Sequence, residues 1–397
     1  MAKKTAKTAN QGLLGLEVRN FRALADISLE LGPLNVFFGP NGAGKSSLLD
    51  SLWFLHDCAT RGVGEASALR NQGIGLLWYG AADGAKIAIK LKTAKADYEV
   101  TFSYVAGRPD SSPGELLRSW PINDALVREA GSNKAKFIPD EPQFYREASI
   151  ASGALALTYA GSEMSAAREI HKFLSQMQSY FSLAVDVRQI RNRGSQSTPD
   201  FVPTEDGANV LSVLRNLYAR QSLDERYDTI IGFMREAFPA FQNIIIEQTG
   251  VQWVYGSFIE KDLRQPIPVA NISDGYLQML LHLTALFCKE KNDGGLIMFD
   301  EPENSLHPHA IAIFAKAVKL AIKEWHKQIF IATHSPVLLS QFKAENVFAV
   351  GKKESATFLR RVSELSEIDD LLEDYALGSL YMAELVAPQS VMAGTEN

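Results

Sequence analysis

The chain has 397 residues, a net charge of −6 and a hydrophobic content of 46%, which allows one large α/β domain with an insertion or two domains sharing a core. The acidic balance exerts no general pull on nucleic acid, so any such contact needs a local basic patch, and no apolar run reaches the roughly 18 residues of a membrane helix. The only cysteines, Cys58 and Cys288, exclude a disulfide framework, a cysteine-built zinc site and a zinc-hook apex; they suit a reducing cytoplasm, where the chain is expected to reside.

Residues 1–12 carry lysines with no apolar signal core behind them and read as a disordered basic tail. Apolar or alternating runs predict strands at Leu13 to Val18, Ile27 to Leu31 and Leu34 to Phe38. A glycine-rich loop follows, then a helix from about Lys45 to Asp57. Ile87 to Leu91 and Tyr98 to Tyr104 read as an antiparallel strand pair, and the Pro, Gly, Ser and Asp of residues 106–142 mark a surface excursion. From Ser162 to Phe238 the pattern is helical, with an interruption at Arg191 to Asp206. Strands return at Asn243 to Glu247, Gln252 to Ile259 and Pro266 to Ala270. Then come a helix from Gly275 to Lys289, a buried-type strand at Leu296 to Phe299, a helix from Pro308 to Lys323 and a second buried-type strand at Gln328 to Ala332. The expected organisation is an α/β core in two parts, 13–105 and 266–360, around a mainly helical lid at 106–265, with a helical tail at 361–397. No internal repeat and no sustained heptads occur.

Three segments carry chemistry. Gly39-Pro40-Asn41-Gly42-Ala43-Gly44-Lys45-Ser46, followed by Ser47, fits G-x-x-x-x-G-K-S/T between a strand and a helix. Its glycines let backbone N–H groups turn around a β-phosphate, Lys45 supplies a point charge, the Ser46 hydroxyl suits Mg²⁺, and the helix N-terminus favours an anion. The strand through Phe299 ends in Asp300 and Glu301. Asp300 suits a magnesium ligand and Glu301 a general base; standing alone, the pair could equally cap the next element. His334 follows the next buried strand, in Ile331-Ala332-Thr333-His334-Ser335-Pro336.

Together with Asn271-Ile272-Ser273-Asp274-Gly275-Tyr276 ahead of a helix, this order of segments resembles the ABC ATPases. It is similar in particular to their soluble branch related to RecF and SMC proteins, and to compact ATPases of bacterial anti-phage and overcoming-lysogenisation systems. The matching words are Asn20-Phe21-Arg22, GPNGAGKSS, ISDG, FDEPENSLHP and IATHSP, and the resemblance covers about residues 13–60 and 265–350. It implies an ABC-type head, a mixed β-sheet with helices on both faces, that uses ATP and Mg²⁺ at a site shared between two copies. Ser273, Asp274 and Gly275 would form the signature that meets the γ-phosphate held by the mate. Asn304, Ser305, Leu306 and His307 would form the loop at the dimer interface. His334 would sense the γ-phosphate and orient water. Arg22 and Phe21 would flank the base or ribose, or serve as packing. Gln143 and Gln189 are the candidates for the lobe-joining glutamine.

Asp274 and Tyr276 depart from the transporter pattern and argue against a transport subunit, while Glu301 and His334 argue against a non-hydrolysing scaffold. Arg188, Arg191 and Arg193 form a local basic cluster that could grip nucleic-acid phosphates, dock an acidic partner, or be ordinary surface arginines. Several relatives carry a Toprim-type nuclease after the ATPase, a domain of about 100 residues for which residues 351–397 are too few. The carboxylates Glu364, Glu367, Asp369, Asp370, Glu373 and Asp374 read as a solvated face. The expected function is therefore a homo-oligomeric ATPase that senses or regulates a separate effector in defence; the alternative is a RecF-like clamp on DNA.

Overall fold

The structure, a computed structural model, describes residues 12–140, 145–161, 164–181, 187–291, 293–364 and 377–382. The chain divides into two compact units. Of the described residues, one unit holds those within 12–177 and 348–361; the other holds those within 178–347 and 362–382.

The first unit is built on an eight-stranded antiparallel sheet. Its strand order is Arg146–Ser149, Lys134–Ile138, Ala125–Arg128, Gly114–Ser119, Ala96–Phe102, Ile87–Thr93, Leu13–Phe21 and Leu24–Glu30. Ala96–Phe102 buries every second residue, as a strand with one covered face must. The helix Lys45–Thr60 inserts Phe54 between Phe21 and Phe102, with ring centroids 5.9 and 5.2 Å away. Leu34–Phe38, buried at every position, pairs with Val347–Lys353 of a late hairpin that continues as Ala356–Arg361.

Within the expected excursion at 106–142, Gly114–Ser119, Ala125–Arg128 and Lys134–Ile138 are instead strands of the sheet. Glu115 and Arg128 meet there at 3.3 Å with both side chains fully buried, and Glu115 also accepts bonds from Tyr98 Oη and from the Ala156 and Leu157 amides. Full pairing of a buried charge is what makes its burial tolerable. Isolated polar residues made this segment look like a loop because its burial is shared between cross-strand partners that the linear sequence does not juxtapose.

In the second unit, Gln178–Phe181, Leu296–Asp300 and Gln328–Thr333 run parallel. The latter two are near-continuous apolar runs, as expected for strands covered on both faces. The helices Arg226–Ala237, Asp274–Phe287 and Pro308–Trp325 pack on one another through Phe233, Phe287 and Trp325. A separate hairpin, Phe241–Thr249 with Trp253–Glu260, pairs along its length and is flanked by Ser195–Gln196 and Ile267–Pro268. The region expected as a mainly helical lid is thus mixed: it contributes strands to both units, and the division between them falls inside it, after Met177. No described helix is long and apolar enough to cross a membrane.

His282, on Asp274–Phe287, is buried against Phe299 and Phe314. Neither ring nitrogen has a hydrogen-bond partner among the described residues. Burial pushes its pKa down to about 3. The folded state therefore binds fewer protons than the unfolded chain between about pH 3 and 6.5, so stability falls as pH drops through that window, by up to about 1.4 kcal/mol per pH unit. His282→Leu is expected to flatten this part of a denaturation-versus-pH profile; an unaltered slope would count against the assignment.

Candidate functional site

The phosphate loop joins Leu34–Phe38 to Lys45–Thr60 in the first unit. Gly42 and Gly44 have φ of 76° and 109°, a region that L side chains avoid. Lys45 is 5% exposed and its ammonium donates to the Gly39 and Pro40 carbonyls at 2.8 and 3.0 Å. The Ser46 side chain is exposed at the helix start, with Ser47 half-buried beside it. The loop rests on the late hairpin. A Cβ on Gly39 would lie 2.1 Å from the Val350 carbonyl oxygen, and one on Gly44 would lie 2.1 Å from Thr357 Oγ1. Thr357 is buried, donates its hydroxyl to the Ala43 carbonyl at 2.8 Å and its amide to the Ala23 carbonyl at 3.0 Å. Neither Val350 nor Thr357 was legible as a loop support, since they lie some 300 residues downstream with no motif around them.

Arg22 lies in the same unit. Its backbone is left-handed, with φ 51°, and its guanidinium sits 2.9 Å from Asp50. Asp50 also binds Arg70, which reaches Asp57 at 2.7 Å. Arg22 therefore braces the first turns of the loop's own helix, while Phe21 is a fully buried core residue. Phe21 is thus a packing residue, while Arg22, whose side chain stays 39% exposed, pairs with Asp50.

In the second unit, the register of two parallel strands assembles the carboxylate site. Asp300 pairs with Ala332, and the Glu301 amide donates to the Ala332 carbonyl at 2.8 Å. Glu301 has φ 53°. One of its carboxylate oxygens lies 3.2 Å from His334 Nδ1; the other accepts from Asn304 Nδ2 at 3.1 Å. Beneath them Glu303 is 8% exposed. It accepts the Thr333 hydroxyl and, at 3.3 Å, the His334 amide. Burial pushes its carboxyl above the usual range, against the pull of Thr333 and His334. Glu303 and Thr333 stand inside the quoted motifs without a role there, and a strand buried at every position offers no alternation that would single Thr333 out. Chemically, the cluster is a carboxylate held at both oxygens, beside an imidazole, directly after a second carboxylate. That is an arrangement able to orient a water and take its proton.

The signature segment lies in this unit too. Ser273 is the exposed N-cap of Asp274–Phe287, and its side chain makes no capping bond. A Cβ on Gly275 would come within 2.5 Å of the Ser305 carbonyl oxygen, so the signature helix and the Asn304–His307 loop are in close contact. Ser305 is exposed with φ 64°, Leu306 is half-buried, and His307 caps Pro308–Trp325. Arg191 is not an open basic residue. It reaches Asp274 at 2.6 Å and also donates to the Ile272 carbonyl. Arg188 and Arg193 are exposed. Gln189 is on Val187–Arg193. Gln143 lies outside the described residues, as do Glu367, Asp369, Asp370, Glu373 and Asp374.

A family model described as "AAA domain, putative AbiEii toxin, Type IV TA system" matches residues 34–340. Among curated proteins, an OLD nuclease of Thermus scotoductus is 57% identical over 37 residues, 9% of this chain and 7% of that protein. The DNA replication and repair protein RecF of Colwellia psychrerythraea is 54% identical over 41 residues, 10% of this chain and 11% of that protein. The matches thus span only about a tenth of these relatives. Among solved structures, an Smc head bound to the C-terminal winged-helix domain of ScpA aligns with TM-score 0.51 at 13% identity, covering 88% of this chain and 97% of that one. A Pyrococcus furiosus Smc head with an extended coiled coil, bound to the C-terminal domain of ScpA, aligns at 0.50 and 11%, covering 91% and 99%. The fold is that of an ABC-type ATPase head.

The crowding under the loop makes Gly39→Ala expected to destabilise the protein by the upper end of about 1–3 kcal/mol, because the obstructing atom is backbone. Thr357→Val is expected to cost about 1–3 kcal/mol by leaving a buried carbonyl unsatisfied. Chemical denaturation measures both; neutral values would mean that the hairpin does not support the loop.

Proposed function

The chain belongs to that AAA-domain family, and on this premise we propose that it binds and hydrolyses ATP with Mg²⁺, that a second copy completes each site, and that it senses or regulates a separate effector in anti-phage defence. The reading rests first on Glu301, anchored at both oxygens directly after Asp300.

The residues fit the nucleotide and the ion. The loop offers left-handed glycines, a buried ammonium and an exposed hydroxyl on a helix start, a donor set suited to phosphate and to a hard cation. Lys45 would hold the β- and γ-phosphates. Ser46 in the one unit and Asp300 in the other are each of a type suited to ligate Mg²⁺, which when bound neutralises phosphate charge. Glu301 would accept the proton of the attacking water, and His334, oriented through Glu303 and Thr333, would position that water against the γ-phosphate. Ser273 and Gly275, with the Asn304–His307 loop beside them, would close on the nucleotide of the mate. The defence role is supported by the family's description and by the local likeness to an OLD nuclease. The likeness to RecF favours a second reading, an ATP-gated clamp on DNA; with Arg191 engaged by Asp274, the basic cluster offers that reading less than its sequence suggests.

Glu301→Gln is expected to slow ATP turnover by about 10²–10⁴-fold while nucleotide affinity stays within a small factor. A turnover like that of the parent removes Glu301 from its role. Lys45→Ala is expected to abolish nucleotide binding in calorimetry. The effector reading predicts ATP-dependent co-purification with a nuclease or toxin encoded beside the gene, and loss of phage resistance on deletion; tight, salt-dependent DNA binding by the chain alone, with neither of those results, selects the clamp.

A further inference from the structure

Asp274 places a carboxylate next to Ser273, on the exposed first turn of the signature helix. A helix start welcomes an anion, yet a fixed negative charge one residue away opposes the approach of a triphosphate. Arg191 answers that charge. Its guanidinium pairs with Asp274 at 2.6 Å and also donates to the Ile272 carbonyl, so a single side chain grips both sides of Ser273. Arg191 is itself held: its own carbonyl accepts the Tyr255 hydroxyl at 2.9 Å. On the other side of the turn, Tyr276 donates to Glu260 at 2.9 Å and stacks on Phe238 with centroids 3.8 Å apart. Tyr255 and Glu260 both lie on the hairpin strand Trp253–Glu260. The signature turn is therefore tied to two elements, the helix Val187–Arg193 and this strand, neither of which carries a nucleotide motif.

We propose that Arg191 is a positioning residue that cancels the Asp274 carboxylate and fixes the Ile272–Asp274 backbone, so that Ser273 can meet the terminal phosphate of a second copy's ATP. This rests on the reading of Ser273 as the signature residue. It also makes the helix Val187–Arg193 a lever: displacing Arg191 exposes a negative charge at the place where two ATP-bound copies must close.

The test is ATP-driven self-association of the full chain with Mg²⁺, measured by sedimentation in a Glu301→Gln background so that nucleotide persists. Arg191→Gln, which removes the charge but keeps a donor, is expected to raise the protein concentration for half-association about tenfold, the scale of one partly screened charge. ATP affinity of the dilute monomer should not change. The double variant Arg191→Gln/Asp274→Asn is expected to recover to within about threefold of the parent, which a merely structural role for Arg191 would not produce. Parent-like association of Arg191→Gln, or a double variant as weak as the single, overturns the proposal. Should Arg191→Gln melt early, Arg191→Lys decides: association within about threefold supports the charge role, and a tenfold loss overturns it. Ser273→Arg separates the underlying reading. If it leaves association intact, the signature assignment fails; if it blocks association while Arg191→Gln does not, only the present inference fails.

Discussion

A water molecule gives up its proton usefully only to a base that cannot swing away, and in this protein the hold on the carboxylate proposed for that role, Glu301, is a matter of strand register. Leu296–Asp300 and Gln328–Thr333 run parallel with Asp300 opposite Ala332. The residue after the first strand and the residue after the second are thereby delivered to one place. Glu301 hydrogen-bonds its amide back to Ala332, its carboxylate to Asn304, and lies against His334. A slip of one position would turn every side chain of the strand to the other face and part the carboxylate from the imidazole.

Buried polar groups around the two chemical segments are arranged to support them. Glu303 is nearly inaccessible, yet it receives the Thr333 hydroxyl and the His334 amide, which converts a costly burial into orientation of the histidine. Burial also raises its affinity for a proton, against the pull of Thr333 and His334. In the other unit Thr357 performs a comparable service for the phosphate loop, with one bond to Ala43 and one to Ala23. The glycines at 39 and 44 are demanded as much by this packing as by the phosphates they would embrace.

Much of the site was legible in the sequence because phosphate chemistry constrains residue type and spacing tightly. The loop at 39–47, the Asp300–Glu301 pair and the histidine at a strand end need no partner to be recognised. What escaped was supplied by residues distant in the chain and ordinary in type. Arg191 read as part of a basic cluster, but its partner Asp274 is far along the sequence. Arg22 read as a group flanking the base or ribose, or as packing, and its pairing with Asp50 was not visible in the sequence. The segment around Gly114–Ser119 and Lys134–Ile138 read as loop because its turn residues outweigh short alternating strands, whose pairing only the sheet reveals. Local pattern identifies chemistry; counter-ions and second supports are long-range facts.

The left-handed backbone at Glu301 carries a consequence for anyone breeding this protein for robustness. A glutamate there costs on the order of 1–2 kcal/mol that glycine would not. A heat-challenge screen that ignores turnover would drift toward glycine or asparagine at position 301, yielding sturdier molecules that, under the role proposed for Glu301, no longer turn over.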